Sequence, residues 1–280
     1  HHEGVLQHLE RLGMDFECVS IQEVRKLMRV VPGLSPKRIL FTPNFVHREE
    51  YEEALALGVL LTLDSITPLQ QWPEVFEGQS LYLRVDPNEV LGRQASINTG
   101  GGESKFGITV QELMHVSGML PQLGCKVVGL HAHAGSGILS AQHWRRIADC
   151  LVAWCAHFPD VTVLNCGGGL GVQQKPGLKG LDLQQVDAAL ADFKRLHPRF
   201  QLWLEPGRFV VAECGILLAR VTQVKRKPQR HFIGLETGMN SLVRPAMYGA
   251  YHHIINLSRL HEPCTVRAHV VGPICDRPIA

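Results

Sequence analysis

Three short stretches of this 280-residue chain combine residue types able to do chemistry. In residues 129–138, Gly-Leu-His-Ala-His-Ala-Gly-Ser-Gly-Ile, His131 and His133 stand two apart and would point to one side of an extended strand. Gly135, Ser136 and Gly137 follow, letting a backbone approach a ligand closely with free N–H groups and a hydroxyl. An imidazole beside an anion-cradling turn suits a flat, phosphorylated cofactor. The second stretch is Asn165-Cys-Gly-Gly-Gly-Leu-Gly, where Gly167, Gly168 and Gly169 allow several N–H groups to face one anion. That pattern serves a tight strand–helix turn equally well, and it lacks the spacing and acidic partner of a dinucleotide fingerprint. The third is Glu205-Pro-Gly-Arg208: Pro206 keeps Glu205 extended, aiming a carboxylate out of a strand end, and Arg208 offers a planar donor fork. Alone it would read as a turn with a local ion pair; the three together point to a cofactor site.

Other chemistries find less support. A metal held by His131 and His133 needs further ligands, and His47, His115, His143 and His157 lack ligand spacing, so no metal is expected. The eight cysteines are dispersed without a CxxC pair, which fits small buried hydrophobes in a reducing, cytoplasmic setting. A formal net charge of +2, with residues 225–230 the one dense basic cluster, gives no pull toward nucleic acid or membrane. No apolar run approaches the ~18 residues of a membrane span, and the N-terminus lacks the pattern of a signal peptide.

These stretches need elements to hold them. Strand-like runs fall at residues 16–19, 39–41, 60–63, 81–85, 127–133, 161–166 and 201–205. Helical spacing occupies 21–30, 49–57, 109–122, 141–158 and 182–197 between them. This alternation predicts βαβ units and a parallel sheet, one strand short of a closed (β/α)8 barrel. Because residues 5–12 already read as a helix, the expected fold is an α/β TIM barrel lacking its first strand; an open doubly wound sheet is the alternative. After residue 205, runs at 215–225, 230–235 and 265–271 predict part of an antiparallel β domain. The expected domains are therefore 1–212, a cofactor-binding barrel, and 213–280, an incomplete C-terminal β domain. The connection 86–107, carrying Thr99-Gly-Gly-Gly-Glu-Ser-Lys-Phe-Gly, exceeds ordinary loop length and reads as functional.

In this arrangement the motifs resemble a known family. Phe16-Glu-Cys-Val-Ser, Arg38-Ile-Leu-Phe-Thr-Pro-Asn-Phe, Ser104-Lys-Phe-Gly, His131-Ala-His-Ala-Gly-Ser-Gly, Gly167-Gly-Gly, Glu205-Pro-Gly-Arg, residues 238–248 (Gly-Met-Asn-Ser-Leu-Val-Arg-Pro-Ala-Met-Tyr) and Val270-Val-Gly-Pro-Ile-Cys run in order along nearly the whole chain. They resemble the fold-type III pyridoxal-phosphate decarboxylases, specifically diaminopimelate decarboxylases, with wording close to the decarboxylase half of bifunctional aspartokinase–decarboxylases. The resemblance implies pyridoxal 5'-phosphate as cofactor, meso-2,6-diaminopimelate as substrate, L-lysine and CO2 as products, and a cytoplasmic homodimer with sites shared across the interface. It implies that His133 stacks on the pyridine ring, that Arg84 lies near its phenolic oxygen, and that Glu205 faces the ring nitrogen. Ser136, Gly167, Gly168, Gly169 and Arg208 would surround the phosphate, with Arg208 also near substrate, and Pro206 and Gly207 would line the cofactor site. Arg244, Tyr248 and Asp276 would bind substrate, and Cys275, supplied to the partner subunit's site, would reprotonate the α-carbon.

The sequence also departs from the family. The Schiff-base lysine belongs to a Tyr-Ala-x-Lys-Ala-Asn-like segment that these residues do not contain, and Lys26, Lys37 and Lys105 cannot replace it. Asp276 stands where the family has glutamate, and a later tyrosine is absent. A fragment truncated at both ends, with little decarboxylase activity, is expected. The competing functions are a related basic-amino-acid or carboxynorspermidine decarboxylase and a non-catalytic, lysine-free homologue acting as a binding protein. Arg244 separates the first, because a distal carboxylate needs a cation and a distal amine needs an acid.

Overall fold

A computed structural model describes residues 1–86, 104–173, 175 and 177–274. It divides into two units, one formed by His1–Gly171 with Leu181–Phe209 and the other by Val172–Gly180 with the residues from Val210 onward.

The first unit is a parallel sheet of seven strands in sequential order: β1 (Phe16–Cys18), β2 (Ile39–Phe41), β3 (Leu60–Leu63), β4 (Ser80–Arg84), β5 (Lys126–His131), β6 (Val163–Asn165) and β7 (Gln201–Trp203). Between them run α1 (Glu3–Arg11), ahead of β1, α2 (Ile21–Val30), α3 (Arg48–Ala56), the short α4 (Thr67–Gln71) and α5 (Pro73–Phe76), α6 (Val110–Leu123), α7 (His143–Trp154) and α8 (Leu183–Leu196). Each neighbouring pair is parallel, and β1 and β7 do not pair with each other among the described residues. This is the curled (β/α) barrel sheet without its eighth strand, as the alternation predicts. Strand positions agree closely with the sequence reading. The pieces left unpredicted are α4 and α5, five- and four-residue turns of helix too short to show a period.

Local chemistry explains where the helices begin. Ser20 accepts from the Glu23 N–H while the Glu23 carboxylate reaches back to the Ser20 N–H, and Thr109 with Glu112 repeats the device. Helix α2 then buries Ile21, Val24, Leu27 and Val30, one stripe at helical spacing, against the outside of the sheet. That outer layer holds the main core, including the fully buried Phe41, Phe76, Trp144, Phe158 and Phe193. A separate cluster of Leu40, Tyr82 and Val163, with Leu60, Val128 and Trp203 packed against it, fills the inner, concave side. There the Tyr82 ring stacks on Trp203 at 5.4 Å, and Gly129 on β5 leaves the space the Tyr82 ring occupies.

The second unit carries β8 (Val221–Lys227), β9 (Arg230–Leu235) and β10 (His269–Val271) in one sheet, with α10 (Val243–Tyr248). A short helix, α9 (Gly207–Val211), follows β7. The sheet is mixed: β8 and β9 form an antiparallel hairpin, but β10 joins β9 in parallel, so it is not the purely antiparallel region expected. The long connection expected to be functional falls mostly at 87–103, outside the described residues.

Candidate active site

Strand register aligns the chemistry. Arg84 at the end of β4 pairs with His131 of β5, His131 with Asn165 of β6, and Asn165 with Trp203 of β7. Glu205 lies two residues past Trp203 and so projects to the same side. One row of side chains at the carboxyl ends of four strands therefore carries a guanidinium, an imidazole, an amide and a carboxylate, where barrel sites form.

The carboxylate is the centre of this row. Asn165 Nδ2 donates to Glu205 Oε1 at 2.7 Å, and His131 Nε2 lies 3.4 Å from Glu205 Oε2. That second contact is within ion-pair reach but not in hydrogen-bonding alignment, since neither ring nitrogen of the buried His131 has a hydrogen-bond partner. Burial by itself would push the Glu205 carboxyl up; the nearby His131, the hydrogen bond from Asn165 and His133 outweigh it and hold the group down at about 2. Glu205 is therefore ionised at neutral pH.

His133 behaves oppositely. The sequence places it on the strand beside His131, but β5 ends at His131 and His133 occupies the loop beyond. Ala132 still bonds to the Asn165 carbonyl, after which the chain leaves the sheet toward Gly135. The Gly168 N–H donates to His133 Nδ1 at 3.1 Å, which assigns the ring proton to Nε2. Burial, reinforced by His131 and Arg84 against the pull of Glu205, lowers its pKa to about 4, so this ring is neutral near pH 7.

Arg84 pairs with the buried Asp64 at 3.3 Å and lies over the Phe106 ring at 4.3 Å, while its Nε has no partner. Asp64 also accepts the Gly107 N–H, yet burial outweighs these favourable contacts and pushes its carboxyl upward. At the other edge of the sheet, Glu17 on β1 is exposed yet crowded by acidic neighbours. Desolvation first, then Glu205 and Glu23, push it up to about 8.

The triglycine segment ties three strand ends together. A side chain at Gly167 would meet the Ala132 carbonyl oxygen at 2.7 Å, one at Gly168 would fall on the Glu205 carbonyl, and one at Gly169 on the Gly135 carbonyl. Gly167 and Gly169 also have positive φ, 66° and 85°. The sequence suggests three amides facing one anion. Two are in fact committed within the protein, Gly167 N–H to Asn165 Oδ1 at 3.0 Å and Gly168 N–H to His133, because the neighbouring strand ends supply acceptors. The Ile138 N–H bonds to the Gly169 carbonyl and the Gly171 N–H to the Ile138 carbonyl, lacing the Gly135-Ser-Gly turn to the triglycine segment. The N–H groups of Ser136, Gly137 and Gly169 make no hydrogen bond among the described residues.

The remaining expected residues divide by unit. Pro206 is half-buried, and Gly207 and Arg208 are exposed at the start of α9, with Arg208 in no ion pair among the described residues. In the second unit Arg244 lies 3.4 Å from His252, and Tyr248 is 71% exposed. Cys275 and Asp276 lie outside the described residues. Asn165, Asp64 and Glu17 were not singled out from sequence, although Asn165 immediately precedes the Cys-Gly-Gly-Gly run and a polar residue at a strand end is the available signal. No cluster of three or more metal-ligating side chains occurs among the described residues. All seven described cysteines are unpaired. No described helix is long and apolar enough to cross a membrane.

The chain is similar to known proteins. A family model described as pyridoxal-dependent decarboxylase, pyridoxal binding domain, matches residues 1–212, and one described as pyridoxal-dependent decarboxylase, C-terminal sheet domain, matches 208–278. A diaminopimelate decarboxylase of Escherichia coli is 33% identical over 97% of this chain and 67% of its own length. One from Methanothermobacter thermautotrophicus is 34% identical over 98% of this chain and 66% of its own, so the chain spans about two thirds of these relatives. A crystal structure of a diaminopimelate decarboxylase superposes with a TM-score of 0.85 at 31% identity, covering 98% of this chain and 68% of the other. That of the Helicobacter pylori enzyme complexed with L-lysine gives 0.80 at 26% identity, covering 98% and 70%.

Proposed function

This chain belongs to the pyridoxal-dependent decarboxylases, and on that premise we propose that it carries the cofactor-binding part of a carboxy-lyase that converts meso-2,6-diaminopimelate to L-lysine and CO2. The family's cofactor is pyridoxal phosphate, and the residues present fit it. Arg84 Nε and both nitrogens of His131 are buried without hydrogen-bond partners. Three loop amides are uncommitted, and the glycines at 167–169 keep the loop surface free of side chains. Arg208, Ser136 and the amides of Gly137 and Gly169 would hold the phosphate, while Gly167 and Gly168 shape its cradle. Neutral His133 would lie on the ring, and Arg84 beside its phenolic oxygen.

When bound, the cofactor supplies a conjugated ring that accepts the electron pair left by departing CO2, provided its nitrogen is protonated. Glu205 is the residue built to hold that proton. A carboxylate with pKa about 2 keeps its negative charge and stabilises a proton on a facing base. The row of Arg84, His131, Asn165 and Glu205 across four strand ends, with Asn165 donating to Glu205 at 2.7 Å, is the observation that carries the reading. The neutral His133 gives apolar ring contact without adding a positive charge that would compete for Glu205. Arg244 and Tyr248 are assigned to the distal carboxylate of the substrate and Cys275 to α-carbon protonation, as a homodimer with shared sites in the cytoplasm; these assignments follow from the family resemblance. Turnover by these 280 residues is expected to be low, because the family's lysine-bearing segment is not among them.

The test is equilibrium titration of the chain with pyridoxal phosphate, followed by cofactor absorbance. Saturable binding that weakens at least tenfold in Arg208→Ala and His133→Ala is expected. A folded wild-type chain that does not bind overturns the reading. The proposed substrate is tested by displacement: L-lysine and meso-2,6-diaminopimelate should perturb the bound cofactor's spectrum, whereas ornithine and arginine should act only at much higher concentration.

A further inference from the structure

Trp144 has no part in the motifs above, yet its indole is tied to them. It is the second residue of α7 and is fully buried. Its Nε1–H donates to the Gly168 carbonyl at 2.9 Å. The same residue's N–H donates to His133 Nδ1 at 3.1 Å, and a side chain added at Gly168 would collide with the Glu205 carbonyl. Gly168 thus bonds on both sides, through its carbonyl to a helix and through its amide to the imidazole. A glycine backbone has the widest conformational freedom of any residue, so a bond that fixes the peptide following Gly168 also limits the direction of its N–H. A buried indole N–H needs an acceptor, and here it uses the one carbonyl that sits between His133 and Glu205.

We propose that Trp144 is a positioning residue that acts through Gly168 to hold His133 in the Nε2–H tautomer and in one ring orientation. The groups facing His133 are His131, Glu205 and Arg84, and His133 in turn influences His143, whose ring stands edge-on to Trp144 at 5.4 Å. None of these donates to His133 Nδ1, so among the described residues the Gly168 N–H is the group that selects the tautomer. The proposal deepens the reading of His133 as the cofactor's ring partner and rests on it for consequence, but the relay itself is observable without cofactor.

The experiment compares the wild-type chain with Trp144→Phe and with Trp144 replaced by 3-benzothienylalanine, which keeps the bicyclic shape and exchanges the N–H for sulfur. Two readouts are taken on cofactor-free protein: the nitrogen-15 signature of the His133 ring, identified by its loss in His133→Gln, and hydrogen exchange at the Gly168 amide. Both variants should speed Gly168 exchange about tenfold, the effect of one ordinary hydrogen bond. His133 should become a mixture of tautomers. Pyridoxal phosphate affinity should then fall about fivefold. If the benzothienyl variant keeps the wild-type tautomer and the wild-type Gly168 exchange rate, Trp144 acts only by filling space and the proposal fails. That outcome is readable if Trp144→Phe does not fold, because the isosteric replacement preserves packing. A wild-type chain that binds no cofactor would instead overturn the proposed function, leaving the tautomer result to judge the relay.

Discussion

Replacing Asn165 with aspartate tests the electrostatic argument most directly. Asn165 is 1% exposed and joins Glu205 to the triglycine segment, donating at 2.7 Å and accepting from Gly167 at 3.0 Å. Asn165→Asp keeps shape and the Gly167 bond but sets a second carboxylate against Glu205. A buried hydrogen bond to a charged acceptor contributes about 1.5–3 kcal/mol, and like-charge repulsion adds to its loss, so about 3 kcal/mol should disappear at pH 7. The pH dependence carries the sign. In the wild type the Glu205 carboxyl sits at about 2, below its unfolded value, so its contribution is present above roughly pH 4.3 and lost as pH falls toward 2. In the variant the pair keeps one proton, its upper apparent pKa rises above the unfolded value, and the folded state binds more protons than the unfolded one above roughly pH 4. The stability deficit should therefore widen as pH rises from about 4 to 7. Urea unfolding of both proteins at unit pH steps measures it. A deficit below about 0.5 kcal/mol, or one of constant size across that range, would refute the assignment of Asn165 as one of the groups, beside His131, that keep Glu205 ionised.

Three further outcomes are expected. Gly129→Ala should destabilise by about 1–3 kcal/mol because its new methyl meets the Tyr82 ring, and Tyr82→Leu should recover most of that loss in the double variant, read by thermal unfolding. Arg208→Ala should leave stability within about 0.5 kcal/mol, since the side chain is exposed and in no ion pair among the described residues, while cofactor affinity falls; equal losses in both would place Arg208 in the structure instead. Glu17→Gln should remove a stability loss on raising pH from roughly 4.5 toward 8. A carboxyl pushed up to about 8 favours the folded state only while protonated, and an unchanged pH–stability profile would contradict this.

Sequence by itself determined the alternation of elements, the strand positions within a few residues and the three motifs at the strand ends. These are local properties: side-chain period and glycine content act over a handful of neighbouring residues. The family also followed from motif order. Tertiary structure decided what those motifs do to one another. The glycines at 167–169 read as an anion nest, but two of their amides serve Asn165 and His133, because three strand ends close to backbone contact there. Asn165 gained its importance only when the register of β6 and β7 set it beside Glu205, forty residues later in the chain. His133 left the strand on which the spacing placed it. Trp144 looked like one more apolar residue on a helix until its N–H met Gly168. The ionisation of Glu205 and the neutrality of His133 depend on burial and through-space charge, which no spacing along the chain encodes. That is why the chemistry could be named from the sequence and its protonation states could not.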